Sequence, residues 1–133
     1  MFPDAPYIHI GGDEAKIALW KDCPDCTAWR DENGLANEKE MYSEYIRRIT
    51  NMILERGRIP CVWEGFPKEG NHKIDKRVLV FPFESDYQTA EELLEGGFTV
   101  VNTSWKPLYI VTHTEHHWPQ EEILSWQVNH WDN

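Results

Sequence analysis

Four short apolar runs are the feature that most limits how this chain can fold. They lie at positions 7–10, 59–63, 78–81 and 98–101, and glycine or proline follows the first three closely. Runs of four or five β-prone residues bounded by turn residues are typical of buried strands. Helical patterns stand between the first and second runs and between the third and fourth. This alternation predicts an α/β fold with a parallel sheet.

The longer helix is predicted from Glu38 to Arg56. Asn37 and Glu40 resemble a capping box at its start, and Gly57 is placed to end it. Residues at helical spacing predict one apolar face on this helix, formed by Met41, Tyr45, Ile49, Met52 and Ile53.

The shorter helix is predicted from Ala90 to Glu95. Thr89 and Glu92 form a capping box before it, and two glycines at 96–97 stop it. Parallel neighbours need a crossover of about a dozen residues, which is usually helical. The interval 65–77 is rich in Gly, Pro, Lys and His, so an irregular crossover is expected there.

Charge and hydropathy exclude several classes of partner. The 133 residues include 13 Lys and Arg against 23 Asp and Glu, which gives a net charge of −10. This balance argues against a nucleic-acid backbone or an anionic membrane as partner. No apolar run approaches the roughly 18 residues of a spanning helix, and no signal peptide begins the chain. The compartment stays undetermined, and a secreted or cell-surface parent protein is compatible with these features.

The cysteines and histidines are candidates for redox or metal sites. An odd cysteine count argues against a disulfide framework. Cys23 and Cys26 have the C-x-x-C spacing of a redox pair or half a zinc site, but a polar loop is expected there, and incidental loop thiols are favoured. For the cluster His113, His116 and His117, solvated side chains are favoured over metal ligands. No metal site and no cofactor is predicted.

The strongest chemical signal is the segment His-Ile-Gly-Gly-Asp-Glu at 9–14, which ends the first run. Parallel sheets present their reactive groups at the carboxyl ends of strands. A chain that turns after Gly11 and Gly12 can place Asp13 and Glu14 around one substrate, one deeper and one near the rim. Glycoside hydrolysis needs an acid for the leaving oxygen and a group that stabilises the anomeric centre. On spacing alone, helix capping by these acids is the slightly favoured interpretation.

Aromatic residues at the ends of the other strands favour a binding site. Trp63 and Glu64 end the second strand, Phe81 and Phe83 flank the end of the third, and the segment from Trp105 to Tyr109 follows the fourth. Carbohydrate sites combine aromatic faces for the apolar side of a sugar ring with polar groups for its hydroxyls.

These segments, in this order, resemble glycoside hydrolase family 20, the β-N-acetylhexosaminidases. The resemblance rests on His-Ile-Gly-Gly-Asp-Glu, the Trp-Glu strand end and Val-Val-Asn-Thr-Ser-Trp-Lys-Pro-Leu-Tyr at 100–109. It implies a (β/α)8 barrel and a carbohydrate substrate, a terminal β-linked N-acetylglucosamine or N-acetylgalactosamine. It also implies a retaining mechanism in which the 2-acetamido oxygen of the substrate is the nucleophile, an exception to the two-carboxylate scheme.

The resemblance assigns roles to single residues. Glu14 would be the general acid and then the base, and Asp13 would orient the acetamido group. Tyr109 would donate to the acetamido oxygen, and Trp63 would wall its pocket, with Glu64 and Trp105 as further substrate-binding residues. The chain departs from the family at Val111, where members commonly have an Asp, and at 81–83, where a Trp is common.

By the same resemblance, the chain is expected to supply about four βα units, strands four to seven of a partial (β/α)8 TIM barrel. The single domain 1–133 would have its core at about 7–111, followed by a Trp- and His-rich segment at 112–133. The favoured function is hydrolysis of terminal N-acetylhexosamine. The alternative is a catalytically incompetent half-barrel that binds sugar or self-associates. In either case, pairing with another copy or with missing barrel segments is expected, since an open half-barrel exposes strand edges.

Overall fold

A parallel four-stranded sheet is the centre of the molecule. The structure is a computed structural model that describes residues 3–84, 86–111, 118–129 and 131. The strands are β1 (Tyr7–His9), β2 (Ile59–Trp63), β3 (Leu79–Phe81) and β4 (Thr99–Val100). They pair in the order β1-β2-β3-β4, and every pairing is parallel. Chain order equals spatial order, as in the wall of a (β/α)8 barrel, so the predicted α/β class and partial barrel are confirmed.

Helices connect and flank these strands. They are α1 (Pro24–Glu32), α2 (Glu38–Leu54), α3 (Ala90–Glu95), α4 (Trp105–Leu108) and α5 (Gln120–Ser125), with 3-10 helices at Ile17–Asp22 and Lys68–Lys73. The second 3-10 helix is the helical part of the β2–β3 crossover, which confirms the irregular connection. None of the described helices is long and apolar enough to cross a membrane.

The predicted caps of α2 and α3 are present. The Asn37 side chain accepts a hydrogen bond from the Glu40 amide (3.1 Å), and α2 begins directly after it. In α3, Thr89 and Glu92 form the reciprocal capping box. These local signals located the helix starts correctly because a cap needs only neighbouring residues.

The core lies between α2 and one face of the sheet. Its main cluster is Tyr42, Ile46, Val62, Phe66, Ile74, Val78, Val80, Leu93 and Phe98. The predicted apolar face of α2 is wrong in part. Met41 and Ile53 are buried as expected, but Tyr45 and Met52 are 49% and 48% exposed. The helix carries two adjacent apolar stripes, and the stripe through Tyr42 and Ile46 is the one that packs on the sheet.

Two further expectations need correction. β1 was expected to be buried, but it is an edge strand of the described sheet, and Tyr7 is 54% exposed. Cys23 and Cys26 were expected in a loop, whereas Cys23 is the N-cap of α1 and Cys26 lies in its first turn. The apolar pattern did not reveal α1 because none of its residues is buried. The cluster of His113, His116 and His117 lies outside the described residues.

Candidate active site

The loop after β1 separates the two adjacent carboxylates. Gly11 and Gly12 have φ values of 73° and 94°, in the left-handed region that favours glycine. Glu14 also has a positive φ, 50°. Through this turn the Asp13 side chain becomes half-buried, while Glu14 is exposed. The expected arrangement of one deeper and one more accessible carboxylate is therefore present.

Three contacts fix this loop to the body of the fold. The Ile10 amide donates to the Cys61 carbonyl, and the Trp63 amide donates to the Gly11 carbonyl, both at 2.9 Å. The Tyr42 hydroxyl, on α2, donates to the Gly12 carbonyl. The position of Asp13 is thus tied both to the neighbouring strand β2 and to α2.

Gly65 allows the ends of β1 and β2 to approach closely. A Cβ atom at this position would lie 2.0 Å from the Gly12 carbonyl oxygen and 3.2 Å from the Tyr42 hydroxyl. The contact is with backbone, so a side chain could be admitted only if the Gly12–Asp13 loop moved.

Aromatic rings meet at the carboxyl ends of the strands. The ring centroid of Trp63 lies 5.0 Å from that of His9, 5.8 Å from Phe81 and 5.4 Å from Phe83. The two phenylalanine contacts are edge-to-face, with interplanar angles of 76° and 70°. Such edge contacts hold each ring in a defined orientation.

Tyr109 extends this aromatic group to the segment after β4. Its ring stacks on Phe83 at 5.9 Å and on Trp105 at 4.6 Å. The Trp105 amide donates to the Phe83 carbonyl (2.9 Å), and the Thr103 hydroxyl donates to the Pro82 carbonyl (2.7 Å). The segments that follow β3 and β4 therefore hold Tyr109 jointly.

Burial and nearby negative charges act on the Tyr109 hydroxyl. Burial raises the pKa of the Tyr109 hydroxyl, and the negative charges of Glu64, Asp13 and Glu84 raise it further. Burial lowers the pKa of His9, and the charge of Asp13 opposes that shift. At neutral pH the Tyr109 phenol is therefore protonated and able to donate a hydrogen bond.

Glu64 is part of the packing at the carboxyl end of β2. Its side chain is nearly buried, with 3% of the residue exposed, and its Oε2 accepts a hydrogen bond from the Phe83 amide (3.1 Å). This bond joins the end of β2 to the segment after β3. A direct role for Glu64 in binding a substrate stays a prediction.

Most of the predicted site residues therefore lie together. Trp63, Trp105 and Tyr109 belong to one connected set of rings, and the charges of Asp13 and Glu64 act on Tyr109. Glu14 directly follows Asp13 and is more accessible than its neighbour. Within the described ranges, no group of three or more His, Cys, Asp or Glu side chains is placed to hold a metal ion.

Sequence reasoning missed two residues that support this site. The Tyr42 hydroxyl donates to the Gly12 carbonyl. Tyr42, Ile46 and Thr50 are spaced four residues apart, and this spacing indicates the buried stripe of the helix. Trp118, in the C-terminal segment, donates from Nε1 to the Tyr109 carbonyl at 2.8 Å. Nothing local in the sequence indicates that second contact, because it depends on how the C-terminal segment packs against Tyr109.

An apolar groove lies beside Asp13, on the side of α1 and α2. It encloses about 610 Å³. We call it the α1–α2 groove, and its main walls are Trp20, Cys26, Trp29, Tyr45, Ile49 and Met52. The exposed stripe of α2 is thus one wall of a concave surface.

Comparison with known proteins gives a consistent family match. The profile described as "Glycosyl hydrolase family 20, catalytic domain" matches residues 1–133. A β-hexosaminidase of Vibrio furnissii is 27% identical over 128 residues, covering 95% of this chain and 20% of its own length. The α subunit of β-hexosaminidase from Rattus norvegicus is 29% identical over 110 residues, covering 79% and 21%. This chain thus spans about a fifth of the length of these relatives.

Solved structures show the same fold. The exo-β-N-acetylglucosaminidase of Vibrio harveyi, determined with N-acetylglucosamine, superposes with a TM-score of 0.57 at 28% identity, covering 74% of this chain and 15% of that one. The chitobiase of Flavobacterium johnsoniae gives a TM-score of 0.60 at 21% identity, covering 77% and 16%, and supports the fold alone.

Proposed function

This chain belongs to glycosyl hydrolase family 20, and we propose that it forms the catalytic centre of a β-N-acetylhexosaminidase. The proposed reaction is hydrolysis of terminal β-linked N-acetylglucosamine or N-acetylgalactosamine, with retention of configuration. One observation carries the proposal. The half-buried Asp13 and the exposed Glu14 follow β1, beside the connected rings of Trp63, Trp105 and Tyr109.

Glu14 is the proposed general acid and base. In the first step its carboxyl proton passes to the glycosidic oxygen while the bond from that oxygen to C1 breaks. The acetamido oxygen of the same sugar supplies the electron pair that forms the new bond to C1. In the second step the Glu14 carboxylate takes a proton from water, and the water oxygen attacks C1 and reopens the acetamido ring. The exposure of Glu14 supports this role, because the proton must reach a leaving group outside the sugar pocket.

Asp13 and Tyr109 are the proposed partners of the acetamido group. The Asp13 carboxylate would accept from the acetamido N–H and stabilise the positive charge that develops as the ring closes. The Tyr109 hydroxyl would donate to the acetamido oxygen. The stacking of Tyr109 on Phe83 and Trp105 supports the second role, because it holds a phenol that is protonated at neutral pH at the strand ends.

Trp63 and Trp105 are the proposed walls of the acetamido pocket. The packing of Trp63 between His9 and Phe83 and the stacking of Trp105 on Tyr109 hold flat apolar faces at the strand ends. Such faces suit the methyl group and the apolar face of a pyranose ring.

The experiment that tests this function is Glu14→Gln in a complete barrel that contains this sequence. We expect kcat on an N-acetylglucosaminide with a poor alcohol leaving group to fall by about 100- to 10,000-fold, the usual contribution of a general acid. The loss should be smaller with a nitrophenolate leaving group, because that group departs without a proton. Glu69→Gln, at an exposed acid of the β2–β3 crossover, is the matched control. Unchanged hydrolysis of both substrates by the Glu14 variant would refute the assignment.

The second candidate function is sugar binding without turnover. It is favoured by the described sheet of four strands, because a complete (β/α)8 barrel has eight and builds its active site from loops that follow several of them. Binding of a thiazoline analogue of N-acetylglucosamine by the 133-residue chain, without release of nitrophenol from the matching substrate, would identify a binder. Release of nitrophenol would identify a catalyst.

A further inference from the structure

The two cysteines at the start of α1 form a pair that the sugar chemistry does not use. Cys23 is the N-cap residue, with an extended backbone, and its sulfur accepts a hydrogen bond from the Cys26 amide at 3.2 Å. Both side chains are half-buried rather than enclosed. The Cys23 sulfur therefore lies against the Cys26 backbone within one helical turn, and both side chains are partly accessible to solvent.

The environments of the two thiols differ in a way that assigns separate roles. Hydrogen bonds from the Cys26 thiol and amide lower the pKa of Cys23. Donation to Cys23 raises the pKa of Cys26, which keeps its proton longer. The thiolate is the nucleophile in disulfide exchange, and the Cys26 amide is placed to stabilise a thiolate at Cys23, so Cys23 is the attacking group and Cys26 the resolving group.

We propose that Cys23 and Cys26 form a reversible dithiol–disulfide site at the N-terminus of α1. The C-x-x-C spacing and the hydrogen bond from the Cys26 amide to the Cys23 sulfur carry this inference, and it does not depend on the proposed glycosidase activity. The chemical class of co-reactant is a small-molecule disulfide such as oxidised glutathione.

The exchange balances in two steps. The Cys23 thiolate attacks one sulfur of the small disulfide, forms a mixed disulfide and releases one thiolate. Cys26 then loses its proton to solvent and attacks the Cys23 sulfur, which breaks the mixed bond and releases the second thiolate. One protein dithiol is oxidised and one small disulfide is reduced to two thiols.

The third cysteine provides an internal control. Cys61 is buried in β2, and burial raises its pKa. Its thiol is therefore expected to stay reduced and slow to react while the chain is folded. Cys61→Ser should leave the exchange at α1 unchanged.

The test is equilibration of the folded chain with graded ratios of reduced and oxidised glutathione, followed by acid quenching and thiol counting by mass spectrometry. We expect the free thiols to fall from three to one, with a mass loss of about 2 Da and a disulfide mapped between Cys23 and Cys26. The Cys61→Ser variant should show the same midpoint. Cys23→Ser and Cys26→Ser should each lose the internal disulfide.

A charge variant checks the assignment of the nucleophile without removing a sulfur. The carboxylate of Asp25 opposes thiolate formation at Cys23. Asp25→Asn should therefore raise the rate of Cys23 alkylation by iodoacetamide at neutral pH several-fold, with Cys26 remaining the slower thiol. Three free thiols at every glutathione ratio, a disulfide that involves Cys61, or stable glutathionylation without the internal bond would overturn the proposal.

Discussion

At the scale of single residues, Tyr109 is the side chain whose surroundings say most about the proposed chemistry. Its ring stacks on both Phe83 and Trp105, and its carbonyl accepts from the Trp118 indole. Contacts from three chain segments therefore hold the ring and the backbone of Tyr109 in place. A donor fixed before the substrate arrives costs little reorganisation when charge develops on the acetamido oxygen.

Tyr109→Phe removes this donor and keeps the ring. We expect kcat/KM for an N-acetylglucosaminide to fall by about 100- to 1,000-fold, as for loss of one preorganised donor at a reacting oxygen. Steady-state kinetics in a complete barrel measure it. Tyr7→Phe, at an exposed tyrosine of β1, is the matched control and should retain activity. Equal kinetics for the two variants would remove Tyr109 from the mechanism.

At the scale of elements, the site depends on how closely the loop after β1 meets the end of β2. The Gly11 carbonyl accepts from the Trp63 amide, the Gly12 carbonyl accepts from the Tyr42 hydroxyl, and Gly65 leaves room for both contacts. The carboxylate pair is thus placed by backbone contacts between secondary-structure elements.

Gly65→Ala tests this dependence. The added Cβ would lie 2.0 Å from the Gly12 carbonyl oxygen, so the loop that carries Asp13 and Glu14 must shift. We expect kcat/KM to fall further than the change in the free energy of unfolding alone would explain. A displacement of about 1 Å at a reacting group can cost about 100-fold in rate.

Gly34→Ala is the matched control for this variant. Gly34 has a φ of +64° and nothing within 4 Å of an added Cβ, so that variant carries backbone strain alone. Its free energy of unfolding should be lower by about 1–2 kcal/mol, and it should keep full activity. Thermal melts and kinetics of both variants distinguish the two effects. Full activity of Gly65→Ala would contradict the proposed role of the close approach.

Local signals predicted the elements better than they predicted which faces are buried. The Asn37 cap and the Thr89–Glu92 box depend on neighbours in the chain, and both helix starts were predicted correctly. Which stripe of α2 is buried depends on the sheet that it packs against, and the predicted burial of Tyr45 and Met52 is wrong. Trp118 could not be assigned to Tyr109 because that contact is made by the return of the C-terminal segment.

The candidate site also combines residues that the sequence predicts with contacts that it does not predict. Asp13, Trp63 and Tyr109 are predicted from strand ends and family resemblance, because parallel strands bring their carboxyl ends to one edge. The hydrogen bond from Tyr42 to Gly12 and the burial of Glu64 were not predicted, because both require the three-dimensional packing of α2 and β3.

At the scale of the whole molecule, the described fold has apolar surface that a closed barrel would cover. β1 is an edge strand with Tyr7 exposed, and the α1–α2 groove includes Tyr45 and Met52 at about half exposure. Unpaired strand edges and large apolar patches favour association with another chain.

We expect the 133-residue chain to associate as a dimer or a larger assembly. Light scattering coupled to size-exclusion chromatography should give a mass at least twice that of one chain. Met52→Lys places a charge in the α1–α2 groove and should shift the equilibrium toward monomer. Leu94→Lys, at an exposed position on α3, is the matched control and should not. A monomer that melts in one cooperative transition would contradict the expectation.

The central claim is that the acetamido group of the substrate is the nucleophile and that Asp13 assists it. The most direct measurement is kcat/KM of a complete barrel on nitrophenyl glycosides whose N-acetyl group carries zero, one, two or three fluorine atoms. Fluorine weakens the acetamido oxygen as a nucleophile, so we predict a steep fall in rate with each added fluorine. In Asp13→Asn, the rate with the unfluorinated substrate should already be severely reduced. Rates that do not change with fluorination would contradict the proposed mechanism.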